Sequence, residues 1–172
     1  MRRTLTDRNS LAIRLIAGLA LVMLLSSCGF QLRGQTTLPF DTLFIAGATP
    51  LLVELKRNVA AGSQTKIVGE AAGADAILDI GLEAREKVIL SLDTSGRVRE
   101  YPLRYRVGFR VHDGKGQNWI STSEIALTRD ISFNDSQIIA KENEEALLYR
   151  DMQTDMVQQI VRRLTRAQRS GG

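Results

Sequence analysis

The chain has 172 residues, 44% hydrophobic, 24% charged and 5% aromatic, a balance that excludes a disordered or fibrous protein and suits one globular domain. A single Cys and a single His exclude an intramolecular disulfide, a Cys-based metal cluster and multi-His metal chemistry. The pI of about 9.6 invites a nucleic-acid partner, but Arg2, Arg3, Arg8 and Arg14 outnumber Asp7 by three, leaving only one net positive charge for residues 28–172, so no nucleic-acid partner is expected.

Those four arginines open a secretory signal. An uncharged run of eleven residues, Leu15 to Leu25, follows them, and Ser26 and Ser27 lead into Cys28. A spanning helix needs about 20 apolar residues, which weighs against a transmembrane anchor. A plain signal peptide with a free cysteine is the other alternative. Leu25-Ser26-Ser27-Cys28 resembles a bacterial lipobox. The resemblance implies removal of residues 1–27, diacylation of the Cys28 sulfur and acylation of its new amino group. The covalent lipid is then the only added group, with no cofactor and no metal expected. Gly29, where an inner-membrane lipoprotein usually has Asp, implies the outer membrane, facing the periplasm.

Residues 28–39 read as a lipidated tether that packs Phe30 and Leu32, and residues 40–169 as a single domain without repeats. Asp41–Ala46 has the composition of a short strand. Thr49 suits an N-cap with Pro50 at the first helical position, Leu51, Leu52, Leu55 and Val59 follow at helical spacing, and Gly62 suits the C-cap. Lys66-Ile67-Val68 is a candidate edge strand, outside the main count.

From 76 to 92 the even positions are apolar except Glu86, the odd ones include Asp79, Glu83, Arg85 and Lys87, and Thr94-Ser95-Gly96 makes a turn. From 101 to 111 the odd positions are apolar and the even ones include Arg104, Arg106 and Arg110. Asp113-Gly114-Lys115-Gly116 is a second turn, and Trp119–Phe133 a third long strand with Ile125, Leu127 and Ile131 on Trp119's parity. Residues 136–168 switch to helical period, with Leu148, Met152, Met156, Ile160 and Leu164 at steps of four and arginines at the C-terminal end. The expected fold is an α/β two-layer sandwich: a four-stranded, mostly antiparallel sheet with two helices packed on one face.

Catalytic patterns are missing: no Walker A, no H-E-x-x-H and no G-x-S-x-G. Asp75 and Asp79 stand about 13 Å apart along a strand, too far for a paired acid and base. His112 at a strand end, Trp119 and the pair Met152 and Met156 read as surface or packing residues. An enzyme is not expected. The polar sheet face is the feature of interest, since the strict alternation lets Arg85, Lys87, Arg104, Arg106 and Arg110 share it. Either it is an ordinary solvated face, or it meets anionic sugars, phosphates or a polar barrel lumen, for which arginine's planar fork is suited.

Several segments together resemble the LptE family of lipopolysaccharide-assembly lipoproteins. They are Cys28–Gly34, Glu100-Tyr101, Arg129–Asp135 with Ala140–Glu145 after it, Tyr149–Met152 and Gln159–Leu164. The family implies a two-layer sandwich that plugs the barrel of LptD and helps insert lipopolysaccharide into the outer leaflet. It also implies lipopolysaccharide contact at a Lys after the last strand, which maps onto Lys141. A second basic position at the first hairpin tip falls on Thr94, so Arg97, next to Arg99, is the candidate to replace it. An ordinary helix pair of Lys141 with Glu145 is the competing reading. An accessory subunit of another outer-membrane machine, such as a secretin pilot or barrel-assembly subunit, and a freestanding lipid- or glycan-binding lipoprotein also stay open.

Cys28→Ala is expected to leave an uncleaved, unlipidated precursor at the inner membrane. Membrane fractionation checks it, and equal outer-membrane recovery of mutant and parent contradicts it.

Overall fold

The computed structural model describes residues 36–88, 91–92, 98–132 and 138–168. Cys28, the tether residues Phe30 and Leu32, the first hairpin turn with Thr94 and Arg97, and Phe133 lie outside the described residues. The elements run β1 (Thr42–Ile45), α1 (Pro50–Gly62), β2 (Lys66–Val68), β3 (Ala76–Lys87), β4 (Ser91–Leu92), β5 (Val98–His112), β6 (Asn118–Ser132) and α2 (Ile138–Thr165). The α/β sandwich with two helices is as expected.

The sheet differs from the expectation of four mostly antiparallel strands. It has five strands of three residues or more, plus the two-residue β4, and it is mixed. The order is β2-β1-β3-β5, with β4 also paired to β5 and β6 on β5's other side. β1 pairs parallel with both β2 and β3. The reason is the helix between β1 and β2: a crossover of that length returns the chain parallel to where it started. Three residues carry too little alternation for β2 to be counted from pattern alone.

Local chemistry sets the ends. Thr49 Oγ1 accepts from Leu52 N, and Pro50 opens α1. Gly62 is helical, and Ser63 instead closes α1, its N–H and hydroxyl both donating to the Val59 carbonyl. In the β5–β6 turn, Asp113 Oδ1 accepts from the N–H groups of Lys115 and Gln117, while Gly114 and Gly116 take positive φ. Between the layers lie Leu43, Ile45, Leu51, Leu55, Leu78, Tyr105, Phe109, Met152, Met156, Ile160 and Leu164, all under 3% exposed. Leu38 and Phe40 belong to this core, and Thr36 bridges to Ser63.

A second correction matters more. The register of β3 against β5 shifts between Ile80 and Leu82, so Gly81 is an extra residue. Before it, Leu78 and Ile80 lie opposite Val111 and Phe109 on the helix side. After it the parity inverts. Glu83, Arg85 and Lys87 lie opposite Val107, Tyr105 and Leu103 on the helix side, and Leu82, Ala84 and Glu86 turn to the open face. A Cβ at Gly108 would come within 3.2 Å of Leu82 Cβ, so the bare backbone there makes room for the turned-over Leu82.

Deleting Gly81 would restore simple alternation and force Glu83, Arg85 and Lys87 off the helix side, since a one-residue slip flips every later side chain. Thermal unfolding is expected to show a loss of about 3 kcal/mol or more. Gly81→Ala, with no atom within 4 Å of the added Cβ and no positive φ, is expected to stay within about 1 kcal/mol of the parent. A deletion as stable as the parent contradicts the bulge.

Candidate functional site

The five basic residues expected to share one face are divided between two. The cause is Gly81: Arg85 and Lys87 follow the bulge and face α2, while Arg104, Arg106 and Arg110 on the uninterrupted β5 face away from it. The two groups sit in different chemical settings.

On the helix side, the Arg85 guanidinium lies 5.1 Å from the Tyr105 ring centre and 5.4 Å from that of Tyr149, and gives an N–H to Gln153 Oε1 at 3.0 Å. Gln153, itself buried, passes its own N–H to Glu54 of α1. One polar chain therefore ties the sheet to both helices. Tyr105 Oη donates to Glu83 Oε1 at 2.8 Å; burial first, and the Glu83 carboxylate second, push the Tyr105 hydroxyl well above its ordinary pKa. Tyr149 Oη donates to the Glu86 carbonyl, and burial raises its pKa too. Lys87 pairs with Glu145 and stands 4.5 Å from the Tyr101 ring centre.

α1 stops short of this region. Its contacts with α2, Glu54 to Gln153 and Thr154 and Asn58 to Gln158, run in parallel, and its N-cap Thr49 donates to Glu83 of β3. Beyond it a gap of about 520 Å³ opens in the helix layer, lined by Arg85, Lys87, Glu142, Glu145, Ala146 and Tyr149.

The open face carries its own lattice of charges. Glu86 takes Arg106 at 2.7 Å and Arg104 at 3.8 Å, and Arg106 also reaches Glu124 at 3.4 Å. Asp79 takes Arg110 at 2.9 Å and His112 Nε2 at 3.0 Å. Partial burial raises the Asp79 pKa, but the hydrogen bonds and charges of Arg110 and His112 outweigh it and hold the carboxyl below its ordinary range. The Glu86 hydrogen bond and charge raise the Arg106 pKa. The face is arginine-rich yet internally paired, with Leu82, Ala84, Gly108 and Ala126 between the pairs.

Lys141 lies at the start of α2, its side chain 17% exposed, donating to Glu144 Oε2 at 2.8 Å and to Ser132 Oγ at 3.3 Å. The competing helix pair does form, but with Glu144 rather than Glu145, because Lys87 holds Glu145 from the sheet. Arg97 lies outside the described residues. Trp119 packs edge-on to Phe40 and donates to the Asp75 carbonyl, at the rim of the core. Asp75 binds Thr42 rather than Asp79, so the two carboxylates do not act together. Among the described residues, no group of three His, Cys, Asp or Glu is placed to hold a metal. Glu83, Gln153, Tyr105, Tyr149 and Glu54 were not singled out from the sequence. The one signal for them was the isolated Gly81 inside a strand pattern.

A family model described as LptE, lipopolysaccharide-assembly, matches residues 40–164. Among solved structures, uncharacterized lipoprotein B from Nitrosomonas europaea is similar at 44% identity and a TM-score of 0.67, with 78% of this chain and 88% of that one covered. Rare lipoprotein B from Shewanella oneidensis is similar at 26% identity and a TM-score of 0.60, covering 71% and 92%. A minor lipoprotein from Acinetobacter baumannii, at 19% identity and a TM-score of 0.63 over 78% and 99%, shares the fold. Curated proteins gave no match.

Proposed function

The chain belongs to the LptE family of lipopolysaccharide-assembly proteins, and on that premise we propose that it is a lipid-anchored outer-membrane protein that plugs an LptD-like barrel, assembles with it, and helps place lipopolysaccharide in the outer leaflet. It does so without catalysis and without a cofactor beyond the lipid on Cys28. The lipobox and the lipoproteins named among its structural neighbours support the anchor.

The observation that carries the plug reading is the direction of the molecule. The described chain enters at Thr36, which bridges to Ser63 at the C-terminal end of α1. The parallel helix contacts put that end level with the C-terminal part of α2, and Lys141 with Ser132 at the opposite end. The 28 residues of α2 span about 42 Å. A bilayer with its headgroups is about 40–45 Å thick. A body anchored near Thr36 on the periplasmic side and standing in a barrel brings Lys141 toward the outer leaflet. The open face, internally charge-paired, suits a polar barrel wall.

Lys141 is then the lipopolysaccharide contact, exchanging Glu144 for a lipid A or core phosphate. Capture of the full-length lipoprotein from detergent-solubilised outer membranes is expected to bring down a barrel protein together with lipopolysaccharide. Lys141→Asp is expected to keep the barrel and lower the captured lipopolysaccharide about tenfold, the size of one charge-assisted contact. A parent that captures no barrel contradicts the plug, and a mutant with parental lipopolysaccharide contradicts the contact.

A further inference from the structure

Among the described residues, two long sheet edges have no neighbouring strand, and they differ. On β6, guanidinium groups cover carbonyls: Arg163 donates to Glu124 O and Arg129 to Thr128 O, both at 3.2 Å. Charged guards of this kind protect an edge from pairing with another strand. On β3, the last pair with β1 is Ile45 with Leu78, and the described residues place no strand beside Asp79 to Lys87 on that side. Val88 N–H bonds to Pro102 O, so the even residues of distal β3 turn their backbone toward β5. Glu83, Arg85 and Lys87 therefore turn theirs outward. From Leu82 to Lys87 this edge runs about 17 Å.

Among the described residues, no helix covers the same edge. Where β1 ends, Ala46, Thr49 and Leu52 border one opening beside Gly81 and Glu83. Farther out lies the gap lined by the charged Arg85, Lys87, Glu142 and Glu145 together with Ala146 and Tyr149. Val88 at the end of the strand is 41% exposed, and Leu147, next to Ala146 on α2, 55%. A strand edge with open space beside it and apolar side chains at its rim is the arrangement that adds an extended segment by backbone hydrogen bonds.

We propose that the distal edge of β3, Glu83 to Val88, pairs with an extended segment of the barrel partner. The proposal rests on the plug reading, because a body enclosed by a barrel meets barrel segments along this edge. The added strand places alternate side chains in the gap beside Ala146 and Tyr149, and the others level with Leu82 and Ala84. Polar side chains suit the gap, which Arg85, Lys87, Glu142 and Glu145 line, and small or β-branched apolar ones suit the positions beside Leu82 and Ala84.

The test uses the full-length lipoprotein in outer membranes. A photo-crosslinking residue at Val88 is expected to form adducts with the barrel protein, and one at Ser121 near the start of β6 to form far fewer. Lys87→Pro removes one outward N–H while keeping an extended backbone. Lys87→Ala removes the side chain alone. The proline variant is expected to capture about tenfold less barrel than the alanine variant, the size of one lost backbone hydrogen bond at a closed interface, with thermal unfolding confirming that both fold. The Val88 adducts decide the matter if the proline variant fails to fold. Adducts to residues 1–35 of the same chain or to a second copy overturn the proposal while leaving the plug reading intact, as does equal capture by the two folded variants. A parent that captures no barrel at all overturns both.

Discussion

One extra backbone residue in β3, Gly81, settles what each surface of the sandwich presents. Without it, period two would carry Leu82 and Ala84 into the core and Glu83, Arg85 and Lys87 out to the open face. With it, the strand turns over halfway along, and Gly108 on the neighbouring strand leaves the space that the turned-over Leu82 occupies. The far half of the sheet thereby keeps polar side chains under α2. They stay partly open to solvent, and each is held by named partners: Glu83 by Thr49 and Tyr105, Arg85 by two aromatic rings and Gln153, Lys87 by Glu145.

The same turn-over balances the open face. Arg104, Arg106, Arg110 and His112 meet Glu86, Glu124 and Asp79, so the surface shows little net field despite its arginines. Exposed pairs of this kind contribute at most about 1 kcal/mol each. Their value lies in geometry: arginine forks fixed against carboxylates give a polar, charge-paired face that a barrel wall can approach.

Where a pattern ran uninterrupted, the sequence was readable. The odd positions of β5, from Leu103 to Val111, are the buried ones, and the steps of four from Met152 to Leu164 line the core as spaced. Thr49 and Pro50 start α1, and Asp113 organises the second turn, because capping and turn chemistry are local. What escaped was non-local. β2 is three residues held in place by a helix crossover, and no three-residue pattern reveals that. The inversion at Gly81 left alternation intact on paper, with Glu86 as the visible lapse, because apolar residues continue on the even positions while the face beneath them changes. The partner of Lys141 was misplaced by one residue for a similar reason: helix spacing allows Glu145, but Lys87, 58 positions away from Glu145 in sequence, already holds it.

The central claim is that the open face stands against a barrel wall. Ala126 lies exposed on the β6 side of that face, midway along the strand and opposite Arg106. In the proposed lipidated form, with lipid on the Cys28 sulfur, Ala126→Cys would supply the one reactive thiol. The most direct measurement compares its labelling by a small water-soluble maleimide in purified, barrel-free protein and in isolated outer membranes. The account predicts labelling at least tenfold slower in the membranes. Equal rates in the two preparations, with the protein recovered in the outer membrane, would contradict it.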